Sequence, residues 1–325
     1  MKKFFIMLAA AVTIVSCAKE ETLSFDKGEA IQFGNAFIDN ATRAAKDPSY
    51  GENGAKLEEF KVWGNVSGGN GLVAIFADNK VTGTVGSTTV DGNDVPNIWH
   101  CNVKQYWIKD AIYNFAALVN APIAEGAIDL TDYLPTKVNG FVANGSTDLL
   151  YARSAKDIKG KATGNGPVEF TFSHLLSKVK FTVINNSKTA AEYSFKVNGI
   201  TITGNKKGDV TLATKAWDNL SEEGAYNVAE IVVNKDTDDA GQECEKELLL
   251  IPGEFNIAFN VDIYNGNTKL GSQAYPISPA TYHYTLAQGC SYNFVINVAV
   301  GEEITFSVTE NPTWRTESTD NTTLL

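Results

Sequence analysis

"VEFTFSHLLSKVKFTVI", residues 168–184, sets apolar Val168, Phe170 and Phe172 in alternation with Glu169 and Thr171, then repeats the pattern with Val179, Phe181 and Val183. A period of two places one set of side chains on one face of an extended strand, so each run is a strand with a single apolar face. Only "SHLLSKV" between them allows a helical reading, and it is long enough for one turn. The same strand signals recur outward in both directions: "AIQFGNAFI", "KVWGNV", "LVAIFA", "YNFAALV", "YSFKVNGITITG", "ELLLIPG", "FNIAFNVDIY" and "YNFVINVAV". Each is short, rich in β-branched or aromatic residues, and bounded by Gly, Asn, Asp or Pro. No segment longer than about ten residues keeps a helical apolar period. The fold class is therefore all-β, with antiparallel sheets stacked at about 10 Å as sandwiches.

Turn chemistry supplies the punctuation. Asn198-Gly199 in "VNGITIT" and Lys207-Gly208 in "TGNKKGDVTL" are residues that tolerate positive φ, and both are expected to close hairpins. "AKDIKGKATGNGP", residues 155–167, is charged, glycine-rich and proline-terminated, so it is the expected domain boundary. A polar stretch at 234–247 reads as a loop before the apolar run at Leu248. A chain of 325 residues with 43% hydrophobic content can bury two ordinary cores. The division expected is 1–16, 17–43, 44–160 and 161–325.

The first two segments follow from the N-terminus. Lys2 and Lys3 precede an apolar run from Phe4 to Val15. That run is too short to span a hydrocarbon core of about 30 Å, so residues 1–16 are a secretion signal rather than an anchor helix. Val15-Ser16-Cys17 resembles the lipobox of bacterial lipoproteins, which implies acylation of Cys17 and durable attachment to the outer membrane. Lys19, Glu20 and Glu21 behind it resemble the acidic surface-export signal of Bacteroidetes lipoproteins, which implies a cell-surface location.

Charge and chemistry exclude several classes. Without Lys2 and Lys3 the chain carries 25 basic and 38 acidic residues, a net charge of −13, so binding to a phosphate backbone is disfavoured. Cys101, Cys244 and Cys290 lack CxxC spacing and indicate neither a zinc site nor a disulfide framework. Pairing of Cys244 with Cys290 and three unpaired thiols both remain open. His100, His174 and His283 are far apart; His174 on its strand reads as a structural histidine, and His100-Cys101 point to opposite faces of a strand. No GxSxG, HExxH, Walker or dinucleotide fingerprint occurs, and no calcium-loop spacing is found, so no enzyme and no cofactor are expected. Trp99, Tyr106, Trp107 and Tyr113 lie close in sequence. They are either core aromatics or a stacking platform for sugars on an uncleaved surface lipoprotein.

Several phrases taken in order resemble the fimbrillin-like family of Bacteroidetes, the subunits of protease-assembled type V pili. They are "AIQFGNAFIDNATRA", "FKVWG", "VKQYWIKDAIYNFAAL", "DLLYARS", "FTFSHLLSKVKFTV", "LLLIPG", and "YNFVINV" followed by "ITFSV" and Trp314. The resemblance implies two transthyretin-like β-sandwich domains and a pilus subunit that supports adhesion, with other pilin subunits as partners. It also implies a trypsin-like maturation protease that cuts between Arg43 and Ala44 and frees the preceding strand. In that strand Ile31, Phe33, Ala36 or Phe37, and Ile38 are apolar, while "DNATRAAKDPSYGENG" after it is polar and turn-prone. Loss of the strand leaves unpaired backbone above an apolar floor, which a neighbouring subunit can fill. The donor candidates are at the other end of the chain. Ile304, Phe306 and Val308 alternate with Thr305, Ser307 and Thr309, and Trp314 follows beyond Pro312.

Overall fold

The computed structural model describes residues 28–38, 57, 59–69, 71–90, 93–120, 123–187, 193–234, 241–275 and 283–311. Within them the side chains of 35–38, 84–90, 93–98, 120, 283 and 311 fall outside the description. The described residues contain strands and no helix. In chain order the strands are β1 (Phe33–Ile38), β2 (Glu59–Gly68), β3 (Gly71–Val90), β4 (Asn93–Cys101), β5 (Ile112–Asn120), β6 (Ile128–Thr131), β7 (Leu134–Val142), β8 (Leu149–Arg153), β9 (Ile158–Lys159) and β10 (Val168–His174). They continue as β11 (Ser177–Asn185), β12 (Tyr193–Thr211), β13 (Ala216–Asn227), β14 (Ile231–Val233), β15 (Gln242–Glu243), β16 (Leu248–Leu250), β17 (Gly253–Asn265), β18 (Thr268–Tyr275), β19 (His283–Leu286), β20 (Ser291–Val298) and β21 (Thr305–Asn311).

The first sheet has the order β2-β3-β4-β1-β10-β8-β5-β9, and β2 also pairs with β5, so the sheet closes on itself. Its interior is aromatic. Alternation in β10 sends Val168, Phe170 and Phe172 inward and leaves Glu169 and Thr171 exposed. They meet Phe60, Phe76 and Phe115 from β2, β3 and β5. Two sheets enclose the second core. One has the order β15-β11-β20-β21, and the other runs β18-β17-β12-β7-β6, with β13, β14 and β19 attached. Phe181 and Phe294 from the first of these share that core with Phe195, Phe255 and Phe259 from the other. Most pairs are antiparallel, but β1 with β10 and β11 with β20 are parallel.

The two cores share walls. In β5, Tyr113, Phe115 and Ala117 face the first core, while Ala116 and Leu118 face the second. In β8, Leu150 and Ala152 divide from Leu149 and Tyr151 in the same way. Burial on both faces explains why "YNFAALV" and "LLYA" are nearly continuous apolar runs.

Strand pairing departs from several expectations. Residues 155–167 do not separate two units, because β8 and β10 on either side of them are hydrogen-bonded neighbours in the first sheet. β6 and β7, before that stretch, pair into the second assembly through β12. The division at 160/161 thus falls inside the first sheet, and the chain crosses between cores at Leu175–Leu176. "SHLLSKV" is not a helical turn, since β10 ends at His174 and β11 begins at Ser177. Asn198-Gly199 and Lys207-Gly208 are not hairpin turns either. Both lie inside the 19-residue β12, where the pairing register shifts between Asn198 and Thr201, and again between Lys207 and Val210. Gly199 has φ of +57°, which a bulge uses as readily as a tight turn does.

Candidate assembly site

The strand ahead of the expected cleavage position is built into the first sheet. Ile31 and Phe33 are 7% and 5% exposed, while Gln32 between them faces outward. The alternation therefore aims two large side chains into the core. Phe33 stands at ring-centroid distances of 5.4 Å from Phe76, 6.0 Å from Phe170, and 6.2 Å from both Phe60 and Phe115. Such edge-to-face and offset pairs add to simple burial.

Backbone bonds hold this segment from several sides. The amide of Ile31 donates to the Gln105 carbonyl at 2.8 Å, and that of Trp107 donates to the Glu29 carbonyl at 2.9 Å. The Val168 amide donates to the Gln32 carbonyl at 2.8 Å. Gly28 is required here, because a Cβ would stand 2.1 Å from the Trp107 carbonyl oxygen. The Glu29 carboxylate accepts from the Asn165 amide at 3.0 Å. Backbone bonds from Gly164 and then Asn165 hold this exposed carboxyl below the usual carboxylate range.

β1 fills a slot between β4 and β10. Against β10 it runs parallel, with Phe33, Gly34, Ala36, Phe37 and Ile38 opposite Val168, Glu169, Phe170, Thr171 and Phe172, and the register shifts between Gly34 and Ala36. Against β4 it pairs only at Phe33 with Trp99. Trp99 is 6% exposed, and its indole Nε1 is buried without a hydrogen-bond partner among the described residues.

The donor candidates occupy the edge of the second core. β21 pairs antiparallel with β20 from Asn297–Thr305 to Ser291–Asn311. Val308 is buried, and Ile304 and Phe306 are half-buried. Phe306 stacks on Phe294 at 5.5 Å and approaches Tyr275 and Phe259 at 5.8 and 6.2 Å. Cys17, Arg43, Ala44 and Trp314 lie outside the described residues, as do the side chains of Ala36, Phe37 and Ile38.

Other singled-out residues fall elsewhere. His174 and Asp148 are both buried, with Nδ1 and Oδ2 2.5 Å apart, at the crossing between the cores. Sequence reasoning missed Asp148; its only local signal is an acid placed directly before the apolar "LLYA". His100 is exposed. Cys101, Cys244 and Cys290 form no disulfide, and burial pushes all three thiols up. Trp99, Trp107 and Tyr113 are interior, and only Tyr106 is exposed, so these four residues make no sugar platform.

The sequence model of one family, described as fimbrillin-like, matches residues 42–312. The chain belongs to the fimbrillin-like family. A fimbrial protein from Bacteroides vulgatus shares its fold, at 15% identity and a TM-score of 0.53, over 88% of this fimbrillin-like chain and 99% of that one. A candidate cell adhesion protein from Bacteroides eggerthii, also 15% identical, reaches a TM-score of 0.48 over 87% and 96% of the two chains. No curated protein matches the chain.

Proposed function

We propose that this fimbrillin-like protein is a structural subunit of a type V pilus at the cell surface. It is exported as a lipoprotein acylated at Cys17, and a trypsin-like protease cuts it between Arg43 and Ala44. It then polymerises as β1 leaves its slot and β21 of another copy enters. The polymer supports adhesion.

The observation that carries this reading is the position of β1. It lies within the closed sheet with Phe33 among four aromatic rings, and its last residue, Ile38, stands five residues before Arg43. A cut at Arg43 leaves β1 held by non-covalent contacts alone. Burial of Ile31 and Phe33 is worth roughly 1.5–3 kcal/mol each, and the ladder bonds about 1 kcal/mol each. A strand held at that level is secure but replaceable by one that binds as well.

β21 suits the donor role on three counts. Among the described residues it is an edge strand bonded only to β20. Ile304 and Phe306 repeat the spacing of Ile31 and Phe33. Its root, Val298, pairs with Asn185 at the end of β11 remote from the crossing between the cores, so a released β21 would extend from the far end of the molecule.

The test is Arg43→Ala in the producing cell. The wild-type chain is expected to begin at Ala44 by mass spectrometry and to run as a ladder resistant to SDS. The variant is expected to keep acylated Cys17 and to run as a monomer. A ladder built from uncleaved Arg43→Ala chains would refute the proposal.

A further inference from the structure

We infer that a cleft between the outer face of β2 and the short strand β6 binds a small neutral saccharide. β2 alternates, so Phe60, Val62 and Val66 turn into the first core while Lys61, Trp63 and Asn65 turn the other way. β6 and the turn before it stand over that second face. The Asn65 carboxamide donates to the Asp132 carbonyl at 2.6 Å and ties the two together at one end. Toward Lys61 they part, and a cavity of about 540 Å³ remains. Small-molecule sites have volumes of about 300–1,000 Å³ and favour such seams between packed units.

The base of the cleft is apolar. Trp63 and Leu118 are buried there, and Leu118 is the β5 partner of Lys61. Half-buried Ile128 adds a wall, and Leu130 stands exposed at the mouth.

The rim is charged. Lys61 Nζ stands 2.9 Å from Asp78 Oδ1 and 3.0 Å from Oδ2, and both side chains remain half exposed. Asp78 reaches Lys61 from a bulge in β3. Val62 pairs with Asn79 and Gly64 with Phe76, so Ala77 and Asp78 together lie opposite Trp63. The Ala77 amide donates to Asn79 Oδ1 at 2.8 Å, and Asp78 has φ of +59°, a backbone that aspartate tolerates. Bulges of this kind re-aim a side chain. A second part of the rim is the turn at 124–127, closed by the Ala127 amide donating to the Ala124 carbonyl at 3.1 Å. Glu125 in that turn is exposed and forms no ion pair among the described residues.

Two carboxylates thus offer acceptors, and one ammonium offers donors, around an apolar base. A hydroxyl both donates and accepts. The hydroxyls of a sugar ring can therefore serve Asp78, Glu125 and Lys61 together while its C–H face lies on Trp63, Leu118 and Ile128. A cationic ligand would satisfy the carboxylates and meet Lys61, and an anionic one would meet two like charges. The inference does not depend on strand exchange, because no residue lining the cleft belongs to β1 or β21.

Saturation-transfer NMR on the uncleaved chain, with glucose, galactose, mannose, maltose, lactose and cellobiose at millimolar concentration, tests this. At least one of these sugars is expected to receive saturation, most strongly at the C–H protons of one ring face. Asp78→Asn, which keeps a residue type that tolerates the left-handed backbone, and Glu125→Gln are each expected to weaken its binding about tenfold or more, the effect of losing one hydrogen bond to a charged group. Both positions are exposed, so the unfolding midpoint is expected to stay unchanged. No transfer to any of the six sugars would overturn the inference, as would sugar binding that neither variant weakens. Spermidine that binds where the sugars do not, and is lost in Glu125→Gln, would assign the cleft to a cation and overturn it as well.

Discussion

Replacing Phe33 with Ala removes a ring that is 5% exposed and surrounded by Phe60, Phe76, Phe115 and Phe170. Full burial of a phenylalanine side chain accounts for about 1.5–3 kcal/mol. Each ring pair adds about 0.5–1.5 kcal/mol. Four ring pairs and burial would sum to about 3.5–9 kcal/mol if they were additive; neighbouring contributions are not, and the roughly 3–5 kcal/mol observed when a core phenylalanine becomes alanine is the guide. For a domain of 150–250 residues each kcal/mol lowers the midpoint by about 2–4 °C, so a central loss of about 4 kcal/mol lowers it by about 8–16 °C. The assay is thermal unfolding of the uncleaved precursor followed by circular dichroism, with Gln32→Ala as the control. Gln32 is exposed on the same segment, and its replacement is expected to stay within about 0.5 kcal/mol. The decisive comparison uses polymer assembled from Phe33→Ala chains, in which β1 has departed. Its dissociation temperature is expected to match that of wild-type polymer. A loss below about 1 kcal/mol in the precursor, or an equal loss in precursor and polymer, would refute the claim that Phe33 anchors a removable strand.

Two further outcomes are expected. The Glu29 carboxyl titrates below its usual value near 4.5, so its contribution is present above that value and disappears as pH falls through the lower, folded value. The protection factor of the Ile31 amide in the precursor, taken relative to intrinsic exchange at each pH, should therefore fall between pH 5 and pH 3, and Glu29→Gln should abolish that fall. Asp148→Ala leaves buried His174 without its carboxylate partner, which costs roughly 3–5 kcal/mol by urea denaturation if the pair is ionised and about 1–3 kcal/mol if it is neutral. A loss under about 1 kcal/mol would show that the pair does not stabilise the crossing between the cores.

Local alternation made the strands legible. Val168, Phe170 and Phe172 read directly as an inward face, and Ile31 with Phe33 read as an apolar strand ahead of a polar loop. What stayed hidden depends on partners distant in sequence. Phe33 pairs with Val168, and nothing near either residue names the other. Composition of 155–167 reports that the segment is solvated, but not that β8 and β10 return to the same sheet. Asn198-Gly199 carries the signature of positive φ, and that signature is the same for a bulge as for a hairpin. Both faces of β5 are apolar because two cores meet there, so a run such as "YNFAALV" could not disclose which core each residue enters. Trp99 was legible as an aromatic in a strand. Its lack of an acceptor among the described residues is a property of the slot and not of the sequence around it.

The parallel pairing of β11 with β20 gains a mechanical meaning once β21 is the donated strand. A subunit in a fibre is pulled at two places: through the slot, whose wall is β10, and through the root of β21 at Val298. β10 joins β11 covalently across Leu175–Leu176. That crossing is fixed by the Trp217 indole donating to the Leu175 carbonyl, the Gly289 amide donating to the Leu176 carbonyl, and the Ser177 hydroxyl donating to the Ala287 carbonyl. Force therefore enters β11 at Ser177 and leaves β20 at Val298. Because the two strands are parallel and aligned from Lys178–Ser291 to Asn185–Val298, the loads act at opposite ends of the pair. All the bonds between them are then strained together in shear. An antiparallel arrangement would place both loads at one end and open the pair bond by bond. On the proposed donor role, the same parallel order that makes β11 and β20 an exception in a mostly antiparallel molecule loads the pair in shear instead of peeling it.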